Sequence, residues 1–361
     1  MKSVKSISTT YKILILGASY GSLLGSKLAL AGHAAKLVCL PEEARLINEE
    51  GTRVRMPVKG VEGFVELNSQ MMPGDVSADA PGTVNPADYD LVALAMQEPQ
   101  YRLPEVKDLL NRIAEAKVPC MSIMNMPPLT YLKRIATIDT DALRNCYTDA
   151  TVWDNFDPAL MTLCSPDPQA FRPPTEKLNV LQVGLPTNFK VARFDANEHT
   201  AILRQLEMDI QAIRFDTGDG EVELPVKLRV HDSVFVPLAK WAMLMAGNYR
   251  CVQKDEMRPI REAVHSDLEE SRAVYNWVVD LCVSLGGDAN DLVPFEKYAN
   301  AALSLVNPSS AARALAAGAT NIERTDRLVQ TIAGGKGMQS DALDRTVELV
   351  DAWLEKNRQK T

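Results

Sequence analysis

Residues 234–247 read VFVPLAKWAMLMAG, and Lys240 is the only charged residue among them. An ammonium on an apolar helix is costly unless it finds partners. Burial also lowers a lysine's pKa toward the range in which it can give and take a proton. Asn248 follows two turns later, on nearly the same helix face. An amine and an amide so placed can protonate and hold a small polar molecule. The competing reading is a lysine that snorkels to the surface. Trp241 reads as core, and Asp232-Ser233 as the cap of this helix.

A second candidate lies near the start of the chain. The turn Gly17-Ala18-Ser19-Tyr20-Gly21-Ser22-Leu23-Leu24-Gly25 follows the apolar run KILIL and precedes a leucine-rich segment. Glycines between a strand and a helix let a pyrophosphate approach the backbone amides of the helix start. The spelling is GxxxGxxxG rather than GxGxxG, so the strand before and the helix after carry the reading. Gly17, Ser19, Tyr20 and Gly21 are the expected cofactor contacts. The alternative is a tight turn that serves helix–sheet packing alone. At the tip of the next strand stand Leu40-Pro41-Glu42-Glu43, with Arg45 beyond. An acid there suits a ribose hydroxyl and an arginine a 2′-phosphate. With no arginine at the tip, the choice between NADP and NAD stays open.

These residues need elements to position them. Residues 12–16, 20–31 and 35–40 read as strand, helix and strand, the length of a parallel crossover. TRVRM and GFVEL read as a strand pair, and 71–88, rich in Pro, Gly and Asp, as an exposed loop. YDLVALAM (89–96) is an apolar run with no polar alternation, as in a buried parallel strand. A helix is expected near 104–116 and a strand at 119–125. The five prolines of 153–177 predict a long irregular excursion. Two more strands and a helix over 197–213 follow, and from about 229 the spacing is helical. The expected fold class is α/β. A Rossmann-type dinucleotide-binding domain (1–225, with a long irregular excursion near 135–180) precedes an all-helical domain (226–361).

Composition narrows the function classes. Of 361 residues, 46% are hydrophobic and 24% charged, ordinary for a globular chain. The net charge is -8, which disfavours nucleic acid and anionic membrane as partners. MKSVKSISTTYK lacks the apolar core of a leader peptide, and no apolar run reaches the ~18 residues of a membrane span. A cytoplasmic protein is expected. The six cysteines and four histidines show no metal-ligand spacing, so no metal is expected. No serine sits in a nucleophile-elbow sequence, which leaves a hydrolase little support.

Taken together, these pieces resemble the ketopantoate reductase (2-dehydropantoate 2-reductase) family, in the 6-phosphogluconate-dehydrogenase-like group of oxidoreductases. The resemblance covers most of the chain in order: KILILGASYGSLLGSKLALAGH, YDLVALAMQ, MSIMNMPP, LAKWAMLMAGN and NPSSAARALAAGATNIERTD. It implies that Lys240 is the general acid and that Asn125 stands at the junction of nicotinamide and substrate. It also implies that Asn248 and Ser310 bind substrate. The family's catalytic glutamate, counted from the serine, falls on Ile322; Glu323 and Asn321 flank it, and Glu323 is favoured. Gln97 stands where the family has a cofactor-contacting lysine, Met126 replaces a glycine and Leu244 an asparagine. The chain is also longer than a typical member, around 70–88 and 135–180.

The resemblance implies NADP as cofactor, with NAD also admitted, a small carbonyl or hydroxy-acid substrate, and pairing into a homodimer. The expected activity is reduction of a small 2-oxo acid or related carbonyl by hydride transfer. The changed pocket positions keep an opine-type or other hydroxyacid dehydrogenase in view. The irregular glycine turn keeps a non-catalytic dinucleotide-binding sensor in view.

Overall fold

The computed structural model describes residues 9–360. Residues 1–8, which begin the segment read above for a leader peptide, lie outside the described residues. Eight strands form the main sheet. In chain order, with the four strands of a second sheet and a two-stranded ribbon, they are β1 (Lys12–Leu16), β2 (Ala34–Val38), β3 (Arg53–Met56), β4 (Val65–Asn68), β5 (Asp75–Asp79), β6 (Leu91–Leu94), β7 (Cys120–Ile123), β8 (Met161–Ser165), β9 (Gln169–Phe171), β10 (Val180–Leu185), β11 (Phe189–Ala192), β12 (Phe215–Asp216), β13 (Glu221–Val222) and β14 (Leu228–His231). The main sheet runs β14-β11-β8-β7-β6-β1-β2-β5, and the second runs β4-β3-β10-β9. All neighbours in the main sheet are parallel except β8 and β11.

The apolar run of β1 is explained by two covered faces. Ile13 and Ile15 enter one core, together with Leu24 and Leu28 of α1 (Ala18–Leu30). Leu14 and Leu16 enter the other, with Leu109 and Ile113 of the amphipathic helix 104–116. All four strand residues have no exposed surface, so truncating any one costs about 2–5 kcal/mol. The second core continues without a break into the C-terminal helices, through Trp241, Tyr275 and Val278. The sheet's far face and the helical region therefore share one interior, which fixes the lysine helix against the strand ends. The second sheet packs on α1 through β3, β9 and β10.

Three expectations change. The exposed loop of 71–88 contains β5, an edge strand held by backbone pairing with β2. Only Ala78 of its five residues is fully buried, so no apolar pattern marks it. The excursion of 153–177 contains β8, buried at all five positions and central to the sheet. Its neighbouring prolines interrupt the pattern without entering the strand. The sheet also runs past residue 225, because β14 pairs with β11 before the helices begin.

Candidate active site

In a parallel sheet the ends of the strands gather the loops that bind ligands. Gly17 follows β1, Gln97 follows β6, Asn125 follows β7, and Pro166-Asp167 follow β8. These four strands are parallel neighbours, so the four turns share one edge. The order of the strands reverses at β1 and β6, the place where dinucleotides lie in doubly wound sheets.

Gly17 has φ +101°, and a Cβ there would stand 2.7 Å from Met96 Cγ and 2.8 Å from the Ala95 carbonyl. No side chain caps the helix behind it. The first-turn amides of α1 are thus available to an anion. Ser19 is exposed beside them. Tyr20 turns away: its hydroxyl donates to the Pro168 carbonyl at 2.7 Å, and its ring meets Phe189 edge-on. Gly21 also faces inward, where a Cβ would stand 2.6 Å from Ile15 Cγ2. Its role in the geometry is helix–strand packing.

Beyond this edge lies a small open cleft. Its polar lining is Gln97, Asn125, Asn248, Tyr249, Ser309, Ser310 and Glu323; Leu244, Ala311 and Ile322 add apolar surface. Five sequence candidates therefore meet in one place. Glu323 accepts hydrogen bonds from the Glu98 backbone at 3.3 Å and from Asn125 Nδ2 at 3.4 Å. Burial pushes its carboxyl up to about 7, against the lowering effect of those two donors. Tyr249 fixes the backbone there: its hydroxyl donates to the Glu323 carbonyl and accepts from the Thr325 amide. Asn125 Oδ1 is buried with no protein partner among the described residues, so a ligand N–H or O–H would satisfy it. Asn321 does not line the cleft.

The helix that carries Asn248 departs from regular geometry. Lys240–Met243 is α-helical, and Leu244–Asn248 forms a π turn. Such bulges recur at functional sites. Ser309 caps the helix Ser310–Ala316 and donates to the Asn248 carbonyl at 2.7 Å, joining the two helices of the cleft. Ser310 stays exposed at the rim. Ser233 caps the approach to the lysine helix by accepting from the Phe235 amide, while Asp232 pairs with Arg204.

Lys240 is not in the cleft lining. Its ammonium donates to the Pro166 carbonyl at 2.7 Å and lies 3.5 Å from Asp167 Oδ1. Burial lowers its pKa, and the adjacent Asp167 resists that. Its side chain is 16% exposed, so it neither snorkels freely nor lacks partners. Asp167 was missed in sequence because it sits among prolines that read as loop. Arg172 was missed likewise. It pairs with Glu43 in the first turn of α2 (Pro41–Glu50), so an arginine does reach the tip of β2, supplied from distant sequence. Arg45 pairs with Glu49 instead.

Among the described residues, no three His, Cys, Asp or Glu are grouped to hold a metal ion, and no helix is long and apolar enough to cross a membrane.

A scan against known protein families matches none, and a search of curated proteins also matches none. Solved structures do match. A 2-dehydropantoate 2-reductase from Methylococcus capsulatus superposes with TM-score 0.62 at 12% identity, covering 96% of this chain and 97% of that one. A D-mandelate dehydrogenase solved with NADH gives TM-score 0.59 at 12% identity, covering 96% and 99%. A dimeric ketopantoate reductase from Staphylococcus aureus gives 0.57 at 9%, covering 96% and 99%. These likenesses establish the fold: the chain is built on the plan of ketopantoate reductases and D-mandelate dehydrogenase along nearly its full length.

Proposed function

We propose that the chain is a nicotinamide-dinucleotide-dependent reductase of a small 2-oxo acid or related carbonyl, working in reverse as a 2-hydroxy-acid dehydrogenase. One observation carries the reading. A largely covered, ion-paired lysine, a carboxyl poised near neutrality and an uncapped helix start behind Gly17 share one edge of a parallel sheet.

The residues present fit a dinucleotide. The amides of α1 with Gly17 and Ser19 would hold the pyrophosphate, and Glu43 with Arg172 would face the adenosine ribose. Gln97 and Asn125 would face the nicotinamide, the open acceptor of Asn125 meeting an amide or hydroxyl. The bound dinucleotide supplies the hydride.

The chain's own residues do the rest. Asn248 and Ser310 hold the substrate carboxylate or hydroxyl across the cleft. Lys240, at the tip of β8 and next to the strand that carries Asn125, protonates the carbonyl oxygen as negative charge develops. General acid catalysis of this kind contributes about 100- to 10,000-fold. Glu323 accepts from Asn125 and orients the substrate hydroxyl. NADP is the proposed cofactor because Arg172 stands beside Glu43, and NAD is admitted because that arginine is already paired. The helical region, on the precedent of the dimeric neighbour, is the proposed pairing surface.

A second reading is favoured by the cleft lining, which includes Glu323 and leaves out Lys240. In it Glu323 is the proton donor.

The test is turnover of NADPH or NADH with 2-dehydropantoate, phenylglyoxylate and other 2-oxo acids, each with and without an added amine. Oxidation of the dinucleotide without amine supports the proposal. Turnover only with amine moves it to opine chemistry. Tight binding with no turnover on any carbonyl makes the chain a dinucleotide-binding protein and overturns the enzyme reading.

A further inference from the structure

The turn Ser165-Pro166-Asp167-Pro168 is pinned from several sides. Prolines flank Asp167 and restrict the backbone before and after it. The Pro168 carbonyl takes the Tyr20 hydroxyl at 2.7 Å, and the Pro166 carbonyl takes the Lys240 ammonium at 2.7 Å. The Ser165 hydroxyl donates to Asp167 Oδ1. Asp167 itself is only 12% exposed and lies between two ammonium groups, Lys240 at 3.5 Å and Lys190 of β11 at 3.1 Å. Two cations on one buried carboxylate share its attraction.

We infer that Asp167 is the positioning residue of Lys240: its buried carboxylate holds the ammonium at the tip of β8, and Lys190, by competing for the same carboxylate, sets how firmly. The inference rests on the proposed role of Lys240 only for its catalytic consequence. The positioning itself is a matter of the ion pair.

The groups that face this pair come from several elements. Lys190 of β11, Ser165 of β8 and Glu323 act on the pair itself, and Cys164 of β8, Tyr20 of α1 and Tyr275 of the helix Leu268–Ser284 lie near Asp167. Burial works to raise the Asp167 carboxyl, but the two ammonium groups overturn that and hold it below the ordinary range. It is therefore a full negative charge at neutral pH. An opposite charge this close favours the charged form of its partner, and a like charge disfavours it. Removing Asp167 must then loosen the proton on Lys240, and removing Lys190 must tighten it.

The opposed signs make the test. The full chain is labelled at lysine Cε with carbon-13, and the Lys240 signal is assigned by its loss in Lys240→Met. In Asp167→Asn the midpoint of its titration should fall by about 1–3 pH units. In Lys190→Met it should rise, and in Asp167→Glu it should stay near that of the unaltered chain. Coinciding midpoints in all four proteins would overturn the inference. So would a fall in Lys190→Met, which keeps the carboxylate and does not rely on Asp167→Asn folding. The pH profile of phenylglyoxylate or 2-dehydropantoate reduction is measured on the same proteins. A basic limb that moves with the signal supports both statements. A signal that moves while the limb does not leaves Asp167 as the positioning residue and removes Lys240 as the acid.

Discussion

Two ends of the same sheet edge face the same difficulty, a charge taken out of water, and meet it differently. At the β8 end Lys240 has a carboxylate and a carbonyl within reach. At the cleft end Glu323's hydrogen-bond donors among the described residues are a backbone amide and a side-chain amide, at 3.3 and 3.4 Å, with the Lys240 ammonium a weaker, more distant influence. A counter-ion stabilises the charged form; neutral donors at long range offset only part of the desolvation. The lysine is thereby fixed, and the glutamate is left to titrate near 7. One edge thus offers a held cation beside a carboxyl able to change state, the division of labour expected where one group gives a proton and another orients.

The largest effect would break that division. Lys240→Ala should cut turnover on an accepted carbonyl by about 100- to 10,000-fold while dinucleotide affinity, read by fluorescence titration, changes little. Full activity in the folded variant would hand the proton to Glu323 or to water. Lys240→Met should remain folded, since Asp167 keeps Lys190 and methionine fills similar volume.

The next effect sharpens the glutamate side and concerns stability. The folded-state pKa of Glu323, about 7, stands above its ordinary 4.5. Between those values the folded chain binds the proton more tightly than the unfolded chain, so stability falls as pH rises through this window. The whole cost is present above about 7 and absent below about 4.5. Glu323→Gln should therefore stabilise the protein at pH 8 by up to about 3 kcal/mol and by almost nothing at pH 4.5. Urea unfolding at both pH values reads the difference. Equal gains at both would show that packing, not charge, separates the variants. Turnover should fall in the same variant, a trade of activity for stability.

How far these two ends were legible in sequence depends on where their partners sit. Lys240, Asn125, Asn248, Ser310 and Glu323 are each marked by type within a recognisable local run, and four of them line the cleft. Asp167 and Arg172 carry no such mark, because their partners lie far along the chain and prolines surround them. β8 was hidden by the same prolines, and β5 by polar residues whose only reward is backbone pairing. Gly21 was legible as necessary but not as to why. Its missing Cβ makes room for Ile15 Cγ2. Gly21→Val should accordingly lower stability by about 1–3 kcal/mol through overpacking. A fully stable variant that has lost only dinucleotide affinity would restore the cofactor role.

The smallest effect concerns the far end of the segment that brings Asp167 to Lys240. A few residues on, the same segment brings Arg172 to Glu43 at the tip of β2, the place where dinucleotide-binding sheets in general discriminate a 2′-phosphate from a 2′-hydroxyl. Arginine's planar fork suits phosphate, but here one side of it is committed to a carboxylate. Binding a 2′-phosphate must then draw the guanidinium partly away from Glu43, which discounts the gain. Arg172→Ala should raise the KM for NADPH by about tenfold, near 1.4 kcal/mol. NADH should change by less than about twofold, because the ribose hydroxyl needs only the acid that remains. Loss of both dinucleotides together would mean that the pair braces the second sheet against α2 and reads no phosphate. An unchanged NADPH value would return the specificity to the strand tip itself, where Glu42 and Glu43 favour NAD.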